Sequence, residues 1–404
     1  MSIETSKTFK ILSSVIALIL LASMFHWRAS QNYKNADYYN SNFFVFWLSG
    51  KLMLDGESPY NPEDWSNGHE KYGTITPKEP TFLYPLPLVL FLTPLGFLSL
   101  GQAYYVWQII SQVIIGFVVY SLLSRWKSSA HSRLLIPIVV FLLYFGPIYL
   151  TLQIGSIGAI SLLFLFGGLN FLDRKNLFIA GLLLSFTMLK PSQGVMILFL
   201  LGTFFLLTKQ WKFIYGMIVG GILLLILGIA LNPNWVSIFI NSSQAAFDRR
   251  LGVQSNVWSF SYLACNGNST CYSILGASGM LILLVATIYY LWRNHSKISN
   301  WEMLNLIIPI SFVATLYLWA YDQILYILPI VWIIGTFVEK SRSYIFPIIF
   351  LVILDLYSLF ALLQQATTSH DLWSLGTTIL VLLFCFIAYK MKQKPAIDKL
   401  ASSA

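Results

Sequence analysis

From 81 to 389 the chain is an almost unbroken series of apolar stretches of roughly 20 residues, the length a helix needs to cross a bilayer, and one more stands at 11–27. The polar breaks between them alternate in kind. One set is basic: Arg125, Lys127 and Arg133; Arg174 and Lys175; Lys209 and Lys212; Arg293 and Lys297; Lys340 and Arg342; and Lys390, Lys392 and Lys394. The other set comprises 28–81, 151–155, 189–194, 232–273, 320–323 and 364–372, and outside the first of these it keeps only Lys190, Arg249 and Arg250 as cations. Positive charge stays in the cytoplasm during insertion, so the basic breaks are expected inside and the other set outside. The pattern predicts an all-α polytopic membrane protein whose working face is extracytoplasmic.

Counting crossings sharpens the topology. The run at 11–27, preceded by Lys7 and Lys10, reads as a retained signal anchor, and Arg125 must lie back inside. An odd number of crossings therefore separates them, although 82–98 and 102–124 are both apolar. Pro85, Pro87 and Pro94 remove backbone donors from 82–98, so that segment is expected to be re-entrant or broken. The remaining spans pair as hairpins: 134–150 with 157–172, 177–189 with 194–208, 212–231 with 274–292, 303–319 with 322–338, and 344–363 with 373–389. The expectation is one membrane domain over 1–394 with about twelve spans and both termini inside. Large outer loops lie at 28–81 and 232–273, and a cytoplasmic tail at 395–404.

Composition agrees and narrows the function classes. With 57% apolar residues, 10% charged residues and a mean hydropathy of +0.71, the chain belongs among integral membrane proteins, expected in the plasma membrane. The net charge of +9 resides mostly in the cytoplasmic breaks, so it reports orientation and contact with anionic lipids, and no nucleic-acid partner is invoked. No paired His or Cys has metal-ligand spacing on an outer face, and no glycine-rich nucleotide loop follows a strand. Cys265 and Cys271 flank CNGNSTC in an outer loop, where an oxidising compartment favours a disulfide, whereas Cys385 lies near the inner end and should stay reduced.

Polar residues on the outer side supply the candidates. The first loop carries seven of the sixteen acids: Asp37, Asp55, Glu57, Glu63, Asp64, Glu70 and Glu79. Within it 41–54 (SNFFVFWLSGKLML) reads as a surface helix with Ser41 as N-cap, Gly56 as its stop and Phe43, Phe46 and Trp47 as interfacial aromatics. Lys190 stands at a hairpin tip in MLKPSQG, on the side where lysine is disfavoured, near Gln153, Asp322 and Gln323. A cation there suits an anionic headgroup such as a phosphate. Asp355, deeper in its stretch, reads first as a helix-packing group.

The segments NFFVFWLSGKLMLDGESPY at 42–60, FLYPLPLVLFLTPLGFL at 82–98, LTLQIGSIGAISLLFLFGGL at 150–169, AGLLLSFTMLKPSQGVMILFLL at 180–201 and YDQILYILPIVWI at 321–333 resemble, in order, the polyprenol-phosphate-sugar-dependent glycosyltransferases of family 87. The resemblance implies a GT-C-like bundle that moves a hexose, mannose in related enzymes, from a polyprenyl-phosphate sugar to a lipid or glycan hydroxyl with inversion. One carboxylate of the first outer loop would act as base. Lys190, Arg249, Arg250 and Gln153 would hold the donor phosphate, and Tyr84, Asp322 and Gln323 would contact substrate. No cofactor beyond the donor is implied, and a divalent metal is optional.

The chain departs from that pattern at the base. The family's acidic position falls on Asn42, whose amide accepts no proton at neutral pH. Three explanations stand: Asp37 has taken over, the chain is a substituted and impaired form, or it binds lipid-linked sugar without catalysis. The family's basic partner after Asp322 is Gln323 here. A flippase or transporter of lipid-linked sugar is the competing class, but it would need polar groups through both leaflets, and this chain concentrates them at one face.

Overall fold

Most of the apolar stretches form helices, and at several of them a proline or a capping residue marks where the helix starts or stops. The computed structural model describes residues 23, 26–34, 37, 39, 41–73, 77, 79–125, 137–142, 144–341 and 344–393. Nearly all of the 11–27 anchor, the tail at 395–404, and Lys127, Arg133, Arg342 and Lys394 lie outside the described residues. All the secondary structure among those described is helical.

The helices include α1 (Asn42–Leu54), α2 (Pro62–Tyr72), α3 (Pro87–Leu92), α4 (Leu100–Leu123), α5 (Gly146–Gln153), α6 (Gly158–Asp173), α7 (Leu177–Ser185) and α8 (Pro191–Leu207). They continue as α9 (Trp211–Leu231), α10 (Trp235–Asp248), α11 (Val257–Ala264), α12 (Ser269–Arg293), α13 (Asn300–Ala314), α14 (Ile327–Ser341), α15 (Ile345–Thr368) and α16 (Ser374–Gln393). Short 3-10 segments Thr93–Phe97, Phe186–Leu189 and Ala320–Tyr326 join some of them. Among the described residues six helical stretches are long and apolar enough to cross a membrane: Leu100–Leu123, Trp211–Leu231, Ser269–Arg293, Ala320–Lys340, Ile345–Thr368 and Ser374–Lys392. Six shorter apolar helices of 10–17 residues accompany them, including α1, α6, α8 and α13.

Three sequence expectations need correcting. The stretch 134–150 is not one helix: Phe145 is non-helical, and α5 restarts with Pro147 in its first turn, where a missing N–H costs nothing. Gly146 N there donates instead to Ser358 Oγ at 3.0 Å. Helix α13 ends at Ala314 because Thr315 is extended, so 315–319 is a non-helical link. Finally, Phe43, Phe46 and Trp47 are not interfacial; all three are at most 5% exposed. They pack into a core with Leu88, Leu92, Tyr104 and Trp107, because α3 and α4 both pack against α1.

Helix α1 begins as the sequence suggests, with Ser41 Oγ accepting from Phe44 N, and the chain turns away at Gly56 with φ +78°. Its docking depends on two glycines. A Cβ on Gly50 would stand 2.6 Å from the Leu92 carbonyl oxygen, and one on Gly96 would stand 2.9 Å from the Gly50 carbonyl carbon. Trp47 Nε1 completes the contact by donating to Leu98 O at 3.0 Å.

The two sets of breaks separate to opposite ends of the bundle. At one end Phe43 N donates to Ile154 O at 3.0 Å, Thr315 Oγ1 to Ser192 O at 3.2 Å and Asp371 N to Val253 O at 2.6 Å, so the tips between apolar stretches touch one another. At the other, Arg125 pairs with Asp173 at 2.6 Å and Lys392 with Glu302 at 2.9 Å. Cys265 and Cys271 are joined as a disulfide, and Cys385 is free and buried.

The close approach of α1 to the proline-rich segment yields a test. Gly50→Val should lower stability by roughly 1–3 kcal/mol through overpacking, read as a lower thermal midpoint in detergent. Gly221→Ala, whose Cβ would meet nothing within 4 Å, should not lower it.

Candidate functional site

A cavity of about 590 Å³ opens where α1 and α2 meet the tips of the membrane helices. Its first wall comes from the outer loop: Ser41 and Asn42 at the start of α1, Trp65 and His69 on α2, Glu79, and Tyr84. Lys190, Arg250, Tyr317 and Tyr321 supply polar groups from the opposite side. The third wall is greasy, with Val195 and Met196 on α8, Phe239 and Phe247 on α10, and Leu316.

Local sequence fixes the position of Lys190. Pro191 keeps the preceding residue out of helical geometry, so Lys190 adopts φ −130°, ψ 86° and forms the corner between Phe186–Leu189 and α8. The residue is 2% exposed. An ammonium so placed requires a counter-charge, and Nζ lies 2.6 Å from Asp322 Oδ1 and donates to Ser156 Oγ at 2.9 Å. The Tyr321 ring lies beneath it at 4.7 Å. Asp322 is itself held, its Oδ2 accepting from Trp319 N at 3.0 Å, while Gln193 Nε2 donates to its carbonyl oxygen at 3.1 Å. An ammonium has three donors; one is hydrogen-bonded to Ser156 and Asp322 Oδ1 stands in ion-pair contact, so donor capacity remains toward the cavity that Lys190 lines.

The second cation has a different partner. Arg250 pairs with Glu79 at 2.8 Å, Arg249 clamps the other oxygen of the same carboxylate, and the Arg250 guanidinium lies 5.4 Å from the Tyr317 ring. Trp65 Nε1 donates to the Glu79 carbonyl at 3.1 Å, and Thr81 Oγ1 lies 3.1 Å from Ser242 Oγ, so this stretch of the first loop is tied both to α2 and to α10. Across the cluster three cations (Lys190, Arg249, Arg250) face two carboxylates (Asp322, Glu79), leaving one positive charge.

The sequence candidates divide accordingly. Asn42, Tyr84, Lys190 and Arg250 line the cavity, and the Asn42 side chain is hydrogen-bonded to that of Tyr321. Asp322 stands behind Lys190, and Arg249 behind Glu79. Gln153 is exposed and is not a lining residue; its backbone carbonyl accepts from Tyr104 at 2.6 Å. Gln323 is buried and turned to α16, with Nε2 donating to Ser374 O at 2.9 Å. Asp37 is exposed and does not line the cavity. His69 and Glu79 do, although the sequence attached no role to either. Their place in the same cavity as Lys190 depends on tertiary contacts with no local period.

The family model for Glycosyltransferase family 87 matches residues 82–317, more than half of the chain. The chain belongs to glycosyltransferase family 87. No curated protein and no solved structure matches it. The matched span contains Tyr84, Lys190, Arg250 and Tyr317, and thus most of the far side of the cavity, while Asn42, His69, Glu79 and Asp322 lie outside it. Membership together with the long apolar helices describes a membrane glycosyltransferase of this family.

The buried ion pair can be tested apart from chemistry. Lys190→Met strands Asp322, and removing one partner of a buried pair costs about 3–5 kcal/mol. The thermal midpoint should fall steeply for this variant and recover in large part in Lys190→Met/Asp322→Asn. A single variant as stable as the parent would mean that the pair does not hold the tips together.

Proposed function

We propose that this family 87 enzyme transfers a hexose, mannose by resemblance, from a polyprenyl-phosphate sugar to a lipid or glycan hydroxyl in the cavity described above. The cavity faces the extracytoplasmic side of the plasma membrane, in a GT-C-like bundle of about twelve spans with both termini inside, because the basic breaks gather at the opposite end. The observation that carries the reading is the residual single positive charge beside a greasy wall.

A glycosyl phosphodiester bears one negative charge, and its prenyl tail needs an apolar surface. Lys190 and Arg250 converge on the polar part of the cavity, while Val195, Met196 and Phe239 extend from it. As the bond from the anomeric carbon to the phosphate oxygen breaks, the leaving group gains charge. Lys190's remaining N–H and the unengaged guanidinium N–H groups of Arg250 stabilise that charge more than they stabilise the bound donor. Inversion needs a single displacement and a single base, with no second carboxylate.

Asn42 favours a second reading, in which the chain binds lipid-linked sugar without transferring it, because an amide stands where the family's acid is expected. Purified protein in liposomes given several polyprenyl-phosphate hexoses and a lipid extract as acceptor, with products identified by mass spectrometry, separates the two. A new glycosylated product with release of polyprenyl phosphate supports transfer; donor binding without product supports the second reading. In the active system Arg250→Gln should raise the donor KM by roughly 10- to 100-fold, the worth of a hydrogen bond to a charged group. Lys71→Gln, which alters an exposed lysine on α2, should leave it unchanged.

A further inference from the structure

Transfer to a hydroxyl requires a group that takes its proton, and Asn42 cannot. Among the described residues lining the cavity, the groups able to act are few. Glu79 is the lining carboxylate, but both of its oxygens are occupied by Arg249 and Arg250. Tyr39, Tyr84, Tyr317 and Tyr321 carry phenols, and a phenol holds its proton at neutral pH. His69 remains.

Its geometry suits the task. His69 Nδ1 lies 2.9 Å from the carbonyl oxygen of Trp65, one helical turn back, so Nδ1 carries the proton and Nε2 presents the lone pair. The ring is fixed edge-to-face between Trp65 at 4.6 Å and Phe44 at 5.2 Å, two residues beyond Asn42. Nε2 makes no hydrogen bond to a described residue, and His69 lines the cavity. Burial lowers the His69 pKa, opposed by the bond to Trp65, which keeps the imidazole neutral and basic at pH 7.

We propose that His69 is the catalytic base of this enzyme, a catalytic residue that replaces the missing carboxylate at Asn42; this rests on the transferase reading above. The acceptor O–H gives its proton to Nε2 as its oxygen forms a bond to the anomeric carbon. The bond from that carbon to the phosphate oxygen breaks, its electron pair leaves with polyprenyl phosphate, and the imidazolium then releases the proton to water. Several charged groups on the neighbouring elements are engaged elsewhere. On α1 Lys51 pairs with Asp55, which also accepts from Tyr72 and pairs with Lys71 of α2, and Glu79 is held by its two arginines. Glu63 and Asp64 sit in the first turn of α2, where Asp64 accepts from Ser58 N, and Glu70 is exposed.

His69→Asn separates a base from a packing residue, because an Asn amide can still donate to the Trp65 carbonyl but has no basic nitrogen. In the reconstituted system this variant should lose about 100-fold or more in kcat, with little change in donor KM. The parent's rate should rise with pH through an apparent pKa below the ordinary histidine value of 6.5 and then level, and His69→Asn should lack that acid limb. Adding Asn42→Asp to His69→Asn should return turnover, since a carboxylate on α1 then supplies the base. If the parent transfers sugar and His69→Asn keeps both its kcat and its acid limb, His69 is not the base while the transferase reading stands. If the parent transfers no sugar, both fall. Should His69→Asn fail to fold, the parent's own profile decides: a rate with no acid limb above pH 5 overturns the proposal.

Discussion

A lysine ammonium buried among apolar helices is tolerated only with a counter-charge and hydrogen bonds close by, and Lys190 obtains them from two distant parts of the chain. Asp322 supplies the charge, Ser156 an oxygen and Tyr321 an aromatic face. Meeting that requirement draws together the tip between α5 and α6, the corner before α8 and the 3-10 segment before α14. Helix α1 then docks on the same structure through Phe43 N and Ile154 O, and Gly50 and Gly96 bring it against the proline-rich segment. The cavity is what this convergence leaves open. The first loop thereby becomes a wall of the site, not an appendage over it.

Much of the helical framework was legible because helix formation in an apolar chain follows local composition. Stretches such as 102–124, 212–231 and 344–363 coincide closely with α4, α9 and α15. The failures occur where tertiary contacts or single residues override the period. Pro147 splits a stretch that hydropathy reads as continuous, and Thr315 ends α13 early. Phe43, Phe46 and Trp47 look interfacial only when α1 is considered alone; α3 and α4 cover it and turn the same aromatics into core.

The site was legible in part for the same reason. Lys190 and Asp322 stand out in sequence because charge at the tips of apolar hairpins is rare, and they prove to be partners. Arg249 and Arg250 also stand out, but their common counter-ion Glu79 lies 170 residues from Arg249 in the chain, and no spacing rule connects them. Gln153 and Gln323 looked equivalent to the other tip residues, yet one faces outward and the other bonds to α16. His69 gave no signal, since a single histidine in a polar helix is unremarkable until Trp65 and Phe44 fix its ring beside the cavity.

The central claim is that one lipid-linked sugar occupies this cavity with its phosphate between Lys190 and Arg250 and its tail along α8 and α10. The most direct measurement is photo-crosslinking with a polyprenyl-phosphate hexose that carries a diazirine in its first prenyl units, with adducts mapped by mass spectrometry. Adducts at Val195, Met196, Phe239 or Phe247 that unlabelled donor suppresses are the predicted result. Labelling confined to the exposed faces of α9 and α15, at residues such as Ile226 and Leu356, and indifferent to competitor, would contradict it.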